Sequence, residues 1–247
     1  MLKNLFRKNK TTGRTTVPFQ VDIHSHFIPG IDDGSENMEQ TIHMLGRMVE
    51  YGYKKVITTP HIMHDAYRNT PEIIRNGLND VKQAVDAAGL DIMVEAAAEY
   101  YLDEFFMERF SGDNSEILSF GDSYVLVETS FINEPVFLEH AVFELQSAGY
   151  KPVLAHPERY LYFHQKQDEL ARLTERGLLL QLNMNSINGY YAKSAGKMAG
   201  WLIENKLVSF LGSDCHHERH LDNLGRVIRS KLFEKALACP LLNSKLI

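Results

Sequence analysis

The sequence predicts an α/β protein whose parallel strands close, or nearly close, into a barrel. Seven short apolar runs recur along its 247 residues. Most are continuous and β-branched or aliphatic rather than alternating, which suits strands buried on both faces. Segments of helical periodicity lie between most of them, and a spacing of about 25 to 35 residues from strand to strand fits successive βα units. Length, strand count and spacing favour closure over an open sheet.

The first run, residues 17–23, leads into "DIHSHFIPGIDDG". A helix is expected over "MEQTIHMLGRMVEYG", where Met38, Ile42, Leu45, Met48 and Val49 recur at helical spacing and Gly52 supplies the stop. After a second run at 55–59, "TPEIIRNGLNDVKQAVDAAG" repeats the design, with Thr70 as N-cap, Pro71 in the first helical position and Gly89 closing. Runs at 92–97, 124–129, 152–155, 178–182 and 207–211 complete the strands. The segments "FLEHAVFELQSAGY", "QDELARLTERG" and "AGKMAGWLIENK" supply further helices. No linker or low-complexity block interrupts residues 17–247, which form one expected domain behind a flexible basic tail, residues 1–16. Leu2, Leu5 and Phe6, beside Lys and Arg, give that tail a second reading as a contact for an anionic membrane surface or a partner.

Hydrophobic content of 44% and charged content of 23% describe an ordinary globular chain, and a net charge of −6 leaves no overall footprint for nucleic acid. Cys215 and Cys239 cannot make a disulfide framework, so a reducing, cytoplasmic setting is expected. The N-terminal segment lacks the apolar stretch of a signal peptide, and no run reaches the ~18 apolar residues of a membrane helix.

The chemistry-bearing side chains gather at one end of these strands. The first run ends in His24 and His26, with Asp32 and Asp33 in its loop, and the second in "TTPHIMH" with His61. The third ends in Glu99, the fourth in Glu128, the fifth in His156, the sixth in Asn183 and Asn185, and the seventh in Asp214 and His216. A His-x-His on a strand is commonly a capped or surface pair, and a lone Glu after a strand is commonly a helix cap. Six of seven runs delivering a carboxylate or imidazole at the same end point instead to a site at the C-terminal mouth of a parallel barrel. His24 and His26 lie two apart and so share a face of their strand. Asp33, Glu99, Glu128 and Asp214 in one cleft would repel without cations, and mixed nitrogen and oxygen donors suit Mn²⁺, Fe²⁺ or Zn²⁺.

In order and spacing, "DIHSHFIPGIDDG", "TPH", "AEYY", "AHPERY" and "SDCH" resemble the PHP (polymerase and histidinol phosphatase) superfamily, and within it the bacterial manganese-dependent protein tyrosine phosphatases of the CpsB/YwqE type. The resemblance implies a distorted (β/α)7 TIM-like barrel holding three divalent metal ions, Mn²⁺ by preference. By motif, His24, His26, Glu99 and Asp214 would bind the first metal, Glu99 would bridge to a second held by Glu128 and His156, and Asp33, His61 and His216 would hold the third. Two departures stand near the site: Ile62 follows His61 where many relatives carry a second histidine, and Thr129 stands where an aromatic residue is common.

The expected reaction is hydrolysis of a phosphomonoester by a metal-bound hydroxide, with Arg159 and Arg219 as candidate phosphate clamps. Glu158 is expected to orient Arg159 and Asp32 to support the loop, while Tyr67, Tyr100 and Tyr101 have two readings, lining a mouth for an aromatic phosphate or packing in the helices or barrel. Position 221 is Leu, so Cys215 lacks the arginine that follows a thiol phosphatase nucleophile. By resemblance the partner is a phosphotyrosine protein, the tail of a bacterial tyrosine kinase controlling capsular or exopolysaccharide synthesis, which would recruit the enzyme to the membrane. The alternatives are a small-molecule phosphoesterase of the histidinol-phosphatase type and a binding barrel without catalysis, the latter disfavoured by the intact ligand set.

Overall fold

The structure is a computed structural model that describes residues 13–111 and 116–247. Of the expected tail, residues 1–12, including Leu2, Leu5 and Phe6, lie outside the described residues. Arg14 is held at the surface by Glu234 at 2.7 Å.

Among the described residues nine strands form only parallel ladders. They are β1 (Val21–Asp22), β2 (Lys55–Thr58), β3 (His61–Ile62), β4 (Met93–Ala96), β5 (Glu99–Tyr101), β6 (Tyr124–Glu128), β7 (Lys151–Ala155), β8 (Leu179–Asn183) and β9 (Phe210–Gly212). Nine rather than seven arise because two short strands, β3 and β5, follow just beyond the expected runs 55–59 and 92–97. Pro60 has no N–H to give a ladder and separates β2 from β3, and Ala97 and Ala98 separate β4 from β5. The ladders form two sheets, ordered β1-β2-β4 and β3-β5-β6-β7-β8-β9. Backbone bonds run on beyond them: Asp214 N donates to His24 O at 2.7 Å, His26 N to Cys215 O at 2.9 Å, Thr59 N to Ser25 O at 2.7 Å and Ala97 N to Thr58 O at 2.9 Å.

Burial on both strand faces explains the continuous apolar runs. Ile57, Leu126, Val153 and Phe210 join one apolar cluster with Val21 and Ile23. Their strand neighbours Val56, Val125, Val127, Leu154 and Leu211 join a larger cluster shared with the helices. Each fully buried aliphatic side chain contributes about 1.5 to 3 kcal/mol, so one-face substitution by polar groups would be costly throughout.

Five helices lie where periodicity places them: α1 (Met38–Glu50), α2 (Pro71–Ala88), α4 (Leu138–Ser147), α5 (Gln167–Glu175) and α6 (Lys193–Glu204). In α2 the Thr70 side chain accepts from Ile73 N, and Gly89 closes the helix at φ 65°, in the left-handed region that glycine enters without penalty. Three more were not expected: α3 (Glu104–Ser111), α7 (Glu218–Ile228) and α8 (Lys231–Ala236). Leu221, Leu224, Val227 and Ile228 do carry helical spacing, and they bury α7 directly behind the "SDCHH" segment.

Candidate metal centre

Each strand end delivers its side chain inward. His24 and His26 follow β1 and are fully buried, while Ser25 between them faces the other way and bridges to Cys215. His156 follows β7 at φ 34° and Asp214 follows β9 at φ 48°, two non-glycine residues in the left-handed region. Such positions cost on the order of 1 to 3 kcal/mol each and cluster at functional sites.

Five interatomic distances define the deepest part of the cluster. His24 Nε2 lies 3.1 Å from Glu99 Oε2 and 3.3 Å from Asp214 Oδ1, and His26 Nε2 lies 3.5 and 3.4 Å from the same two oxygens. The two Nε2 atoms are 3.4 Å apart. A tetrahedral ion with bonds of about 2.0 to 2.2 Å has edges of about 3.3 to 3.6 Å, and these five separations fall in or close to that range. Glu99 turns its other oxygen, Oε1, to His156 Nε2 at 3.1 Å. His61 Nδ1 lies 2.9 Å from Glu128 Oε1, and its Nε2 lies 3.4 Å from Asp33 Oδ1, which is equally 3.4 Å from His216 Nε2. All nine expected ligands are therefore brought into contiguous donor groups.

The imidazoles are oriented from behind. His24 Nδ1–H donates to Gln181 Oε1 at 2.9 Å, and His26 Nδ1–H donates to Asp32 Oδ2 at 2.8 Å, which turns both Nε2 atoms toward the carboxylates. Asp32 also accepts from Gly34 N and His61 N, the loop support expected of it. A Cβ on Gly34 would sit 2.3 Å from His26 O, so only glycine lets this loop fold against the histidine. Asp214 Oδ2 is fixed by Asn183 Nδ2 at 2.7 Å and by Arg159 at 3.0 Å.

The electrostatics reflect this crowding. Burial disfavours charge on His24 and His26, but Glu99 and Asp214 beside the first and Asp32 and Asp214 beside the second hold both up to about 9. Burial likewise opposes His61, which Glu99, Asp33 and Glu128 push up to about 12. Against the cost of burial, the surrounding imidazoles hold Glu99 and Asp214 well below the usual carboxylate range. His156, in contrast to His24, His26 and His61, is lowered, by burial and by Arg159.

Above the cluster opens a cleft of about 560 Å³, floored by His61, Glu128, His156, Asp214 and His216. Tyr67, Tyr101, Phe131, Ile132 and Tyr191 wall it. Arg159 stands at its edge, its guanidinium 4.5 Å from the Phe131 ring and 4.2 Å from the Tyr191 ring.

Several expectations need correction. Arg219 is exposed on α7 and lines a separate hollow with Gln40, His217 and Glu218, because helical rotation turns it away from the cleft. Of the two readings of Tyr100, packing holds: it faces inward and its hydroxyl accepts from Leu118 N. Glu158 does not orient Arg159; it accepts from Asn183 N, and Arg159 pairs with Asp214 instead. Cys215 is buried, and burial pushes its thiol well above its usual value, which excludes a ready thiolate. Sequence reasoning missed Gln181, although it stands two residues before Asn183 on β8 and so on the same strand face.

The family model described as capsular polysaccharide synthesis, CpsB/CapC, matches residues 20–232, and the chain belongs to this family. It is 29% identical over 198 residues to the tyrosine-protein phosphatase YwqE of Bacillus subtilis, covering 80% of this chain and 77% of that one. It is 28% identical over 232 residues to CapC of Staphylococcus aureus, covering 92% and 90%. A crystal structure from a study of YwqE and of CpsB from Streptococcus pneumoniae, described as metal-dependent tyrosine phosphatases, matches with a TM-score of 0.77 at 27% identity. It covers 89% of this chain and 94% of the other.

Proposed function

We propose that this member of the CpsB/CapC family is a metal-dependent phosphatase that hydrolyses phosphotyrosine on a protein. The observation that carries the reading is the convergence of His24, His26, Glu99 and Asp214 at one cation's spacing under an aromatic-walled cleft. These four would hold one metal. Glu99, with its oxygens turned to opposite sides, would share a second with Glu128 and His156, and Asp33, His61 and His216 would hold a third. The donor chemistry suits Mn²⁺, with Fe²⁺ or Zn²⁺ as alternatives. When bound, such ions supply a water deprotonated near neutral pH and positive charge for the phosphoryl oxygens.

The chain's own residues do the rest. Gln181 and Asp32 fix the tautomers of His24 and His26, and Asn183 keeps Asp214 Oδ1 turned to the cluster. Arg159 would give its remaining N–H groups to a phosphoryl oxygen while its flat faces stay packed between Phe131 and Tyr191. Tyr67, Tyr101 and Ile132 would receive the tyrosine ring and exclude water around it. The two sheets read together as a distorted seven-unit barrel, supported by the backbone bonds that join the β1 segment to the β9 segment and carry β2 into β3. Among the described residues no helix is long and apolar enough to cross a membrane. The partner we infer is a bacterial tyrosine kinase of polysaccharide synthesis, met at the cytoplasmic side of the membrane.

The test is purified protein with Mn²⁺ offered a phosphotyrosine peptide, a phosphoserine peptide and histidinol phosphate. Preferential turnover of the phosphotyrosine peptide, lost with chelator and retained in Cys215→Ser, is expected. Turnover of histidinol phosphate alone would overturn the substrate reading.

A further inference from the structure

A second hollow, of about 740 Å³, lies outside the cleft between the segment following β8, the start of α6, and the turn joining α7 to α8. Lys193, Lys197, Arg226, Arg229 and Lys231 line it, and no carboxylate does. Lys54 with Asp91, Lys55 with Glu95 and Arg176 with Glu139 show how cations elsewhere on the surface can be matched, and those that are not, such as Lys82 and Arg172, do not gather in one hollow. The five in the hollow have no ion-pair partner among the described residues, and the acids of the neighbouring helices are turned elsewhere. Glu218 and Asp222 of α7 pair with His43 and Arg47, and Glu234 of α8 pairs with Arg14. In a chain of net charge −6 this is a concentrated positive field whose mutual repulsion an incoming anion would relieve.

The hollow and the cleft share a wall. Gly189 lines the hollow and Tyr191, two residues on, lines the cleft. The wall is braced by Asn188 bonded to Asn223 at 2.7 Å and by Tyr190 set edge-on against His220. Two residues span at most about 7 Å of backbone, so the linings of cleft and hollow meet along this segment of the chain.

We propose that this hollow is an exosite for an anionic stretch of the phosphoprotein substrate, with carboxylate or phosphate side chains a few residues from the phosphotyrosine. The proposal rests on the phosphotyrosine reading of the cleft, and the two can fail separately. The exosite selects substrate by charge and adds nothing to the chemical step, so its signature is in KM and in salt dependence rather than in kcat.

The experiment compares the wild type with the combined Lys193→Gln, Lys197→Gln, Arg226→Gln variant. Substrates are free phosphotyrosine, a phosphotyrosine peptide flanked by glutamates, and the same peptide flanked by glutamines. The wild type is expected to favour the glutamate peptide through KM by about tenfold at low salt, and the variant to lose that preference. Turnover of free phosphotyrosine should be the same in both. No preference in the wild type, or a preference that survives in the variant, would overturn the exosite. If the wild type turns over no phosphotyrosine compound, the cleft reading fails instead, and anisotropy of a fluorescein-labelled polyglutamate peptide still decides whether the hollow binds anionic peptide. If the variant keeps the peptide preference and loses sedimentation with phosphatidylglycerol vesicles, the patch serves an anionic membrane and the proposal is wrong.

Discussion

The two ends of the same strands are built on opposite terms. At their start, Tyr124 on β6 and Phe210 on β9 pack with Phe120 and Leu246 into an apolar plug, the Tyr124 and Phe210 rings 5.1 Å apart at 80°. At their finish, Glu128 on β6 and Asp214 after β9 enter a crowd of buried imidazoles and carboxylates, with His156 and Asp214 in strained backbone. Cohesion is concentrated at one end and function at the other. Stability and activity should therefore respond to different substitutions.

The strongest test removes the functional end. Changing His24 and His26 together to Ala should lower Mn²⁺-dependent turnover by about a thousandfold or more while the far-UV circular dichroism stays native. Near-normal turnover would break the contrast. The mirror test is Phe210→Ala, expected to cost about 3 to 5 kcal/mol in denaturant unfolding while turnover per folded molecule is retained. A specific loss of kcat with unchanged stability would show that the plug reaches the site.

Gln181→Met sharpens the boundary, since it removes the acceptor behind His24 but keeps the volume. Calorimetric titration should show Mn²⁺ affinity weakened about 10- to 100-fold. Unchanged affinity would mean that His24 needs no orientation from β8.

The smallest expected effect is in pH. His24 and His26 are held up to about 9, above an unfolded value of about 6.5, so their contribution to stability is complete below about pH 6.5 and is lost as pH rises toward 9. Glu99 and Asp214, held down, contribute above about pH 4 and lose that contribution as pH falls. With chelator present, the melting temperature should fall by a few degrees between about pH 6.5 and 9. Saturating Mn²⁺ should flatten that fall, because ligation requires the deprotonated imidazole. A chelated protein with a flat melting temperature over this range would contradict the assignment of these charges.

Much of this was readable in the chain itself. The seven runs fell on the strands because both faces are buried, and the candidate ligands fell at or just after strand ends, with Asp33 further out in the loop after β1, because that is where side chains converge. The short strands β3 and β5 were not readable from hydrophobicity, since His61 and Glu99 open them with polar side chains just past the apolar runs. Arg219 was misplaced and Tyr100 left open between two readings because rotation about a helix and sidedness of a strand decide where they point. Gln181 was overlooked because a polar residue inside an apolar run carries no label until its partners, His24 and the His156 amide, are brought beside it.

The left-handed backbone at His156 and Asp214 has a consequence for anyone building sequence libraries on this scaffold. A donor and a rare conformation are required at once, so the tolerated alphabet shrinks to Asn, Asp and His. Glycine would restore the loop and delete the donor, whereas valine or isoleucine would fail on both counts. These two codons should therefore be the most depleted in a selection for activity. After a selection for folding alone, glycine should be the survivor.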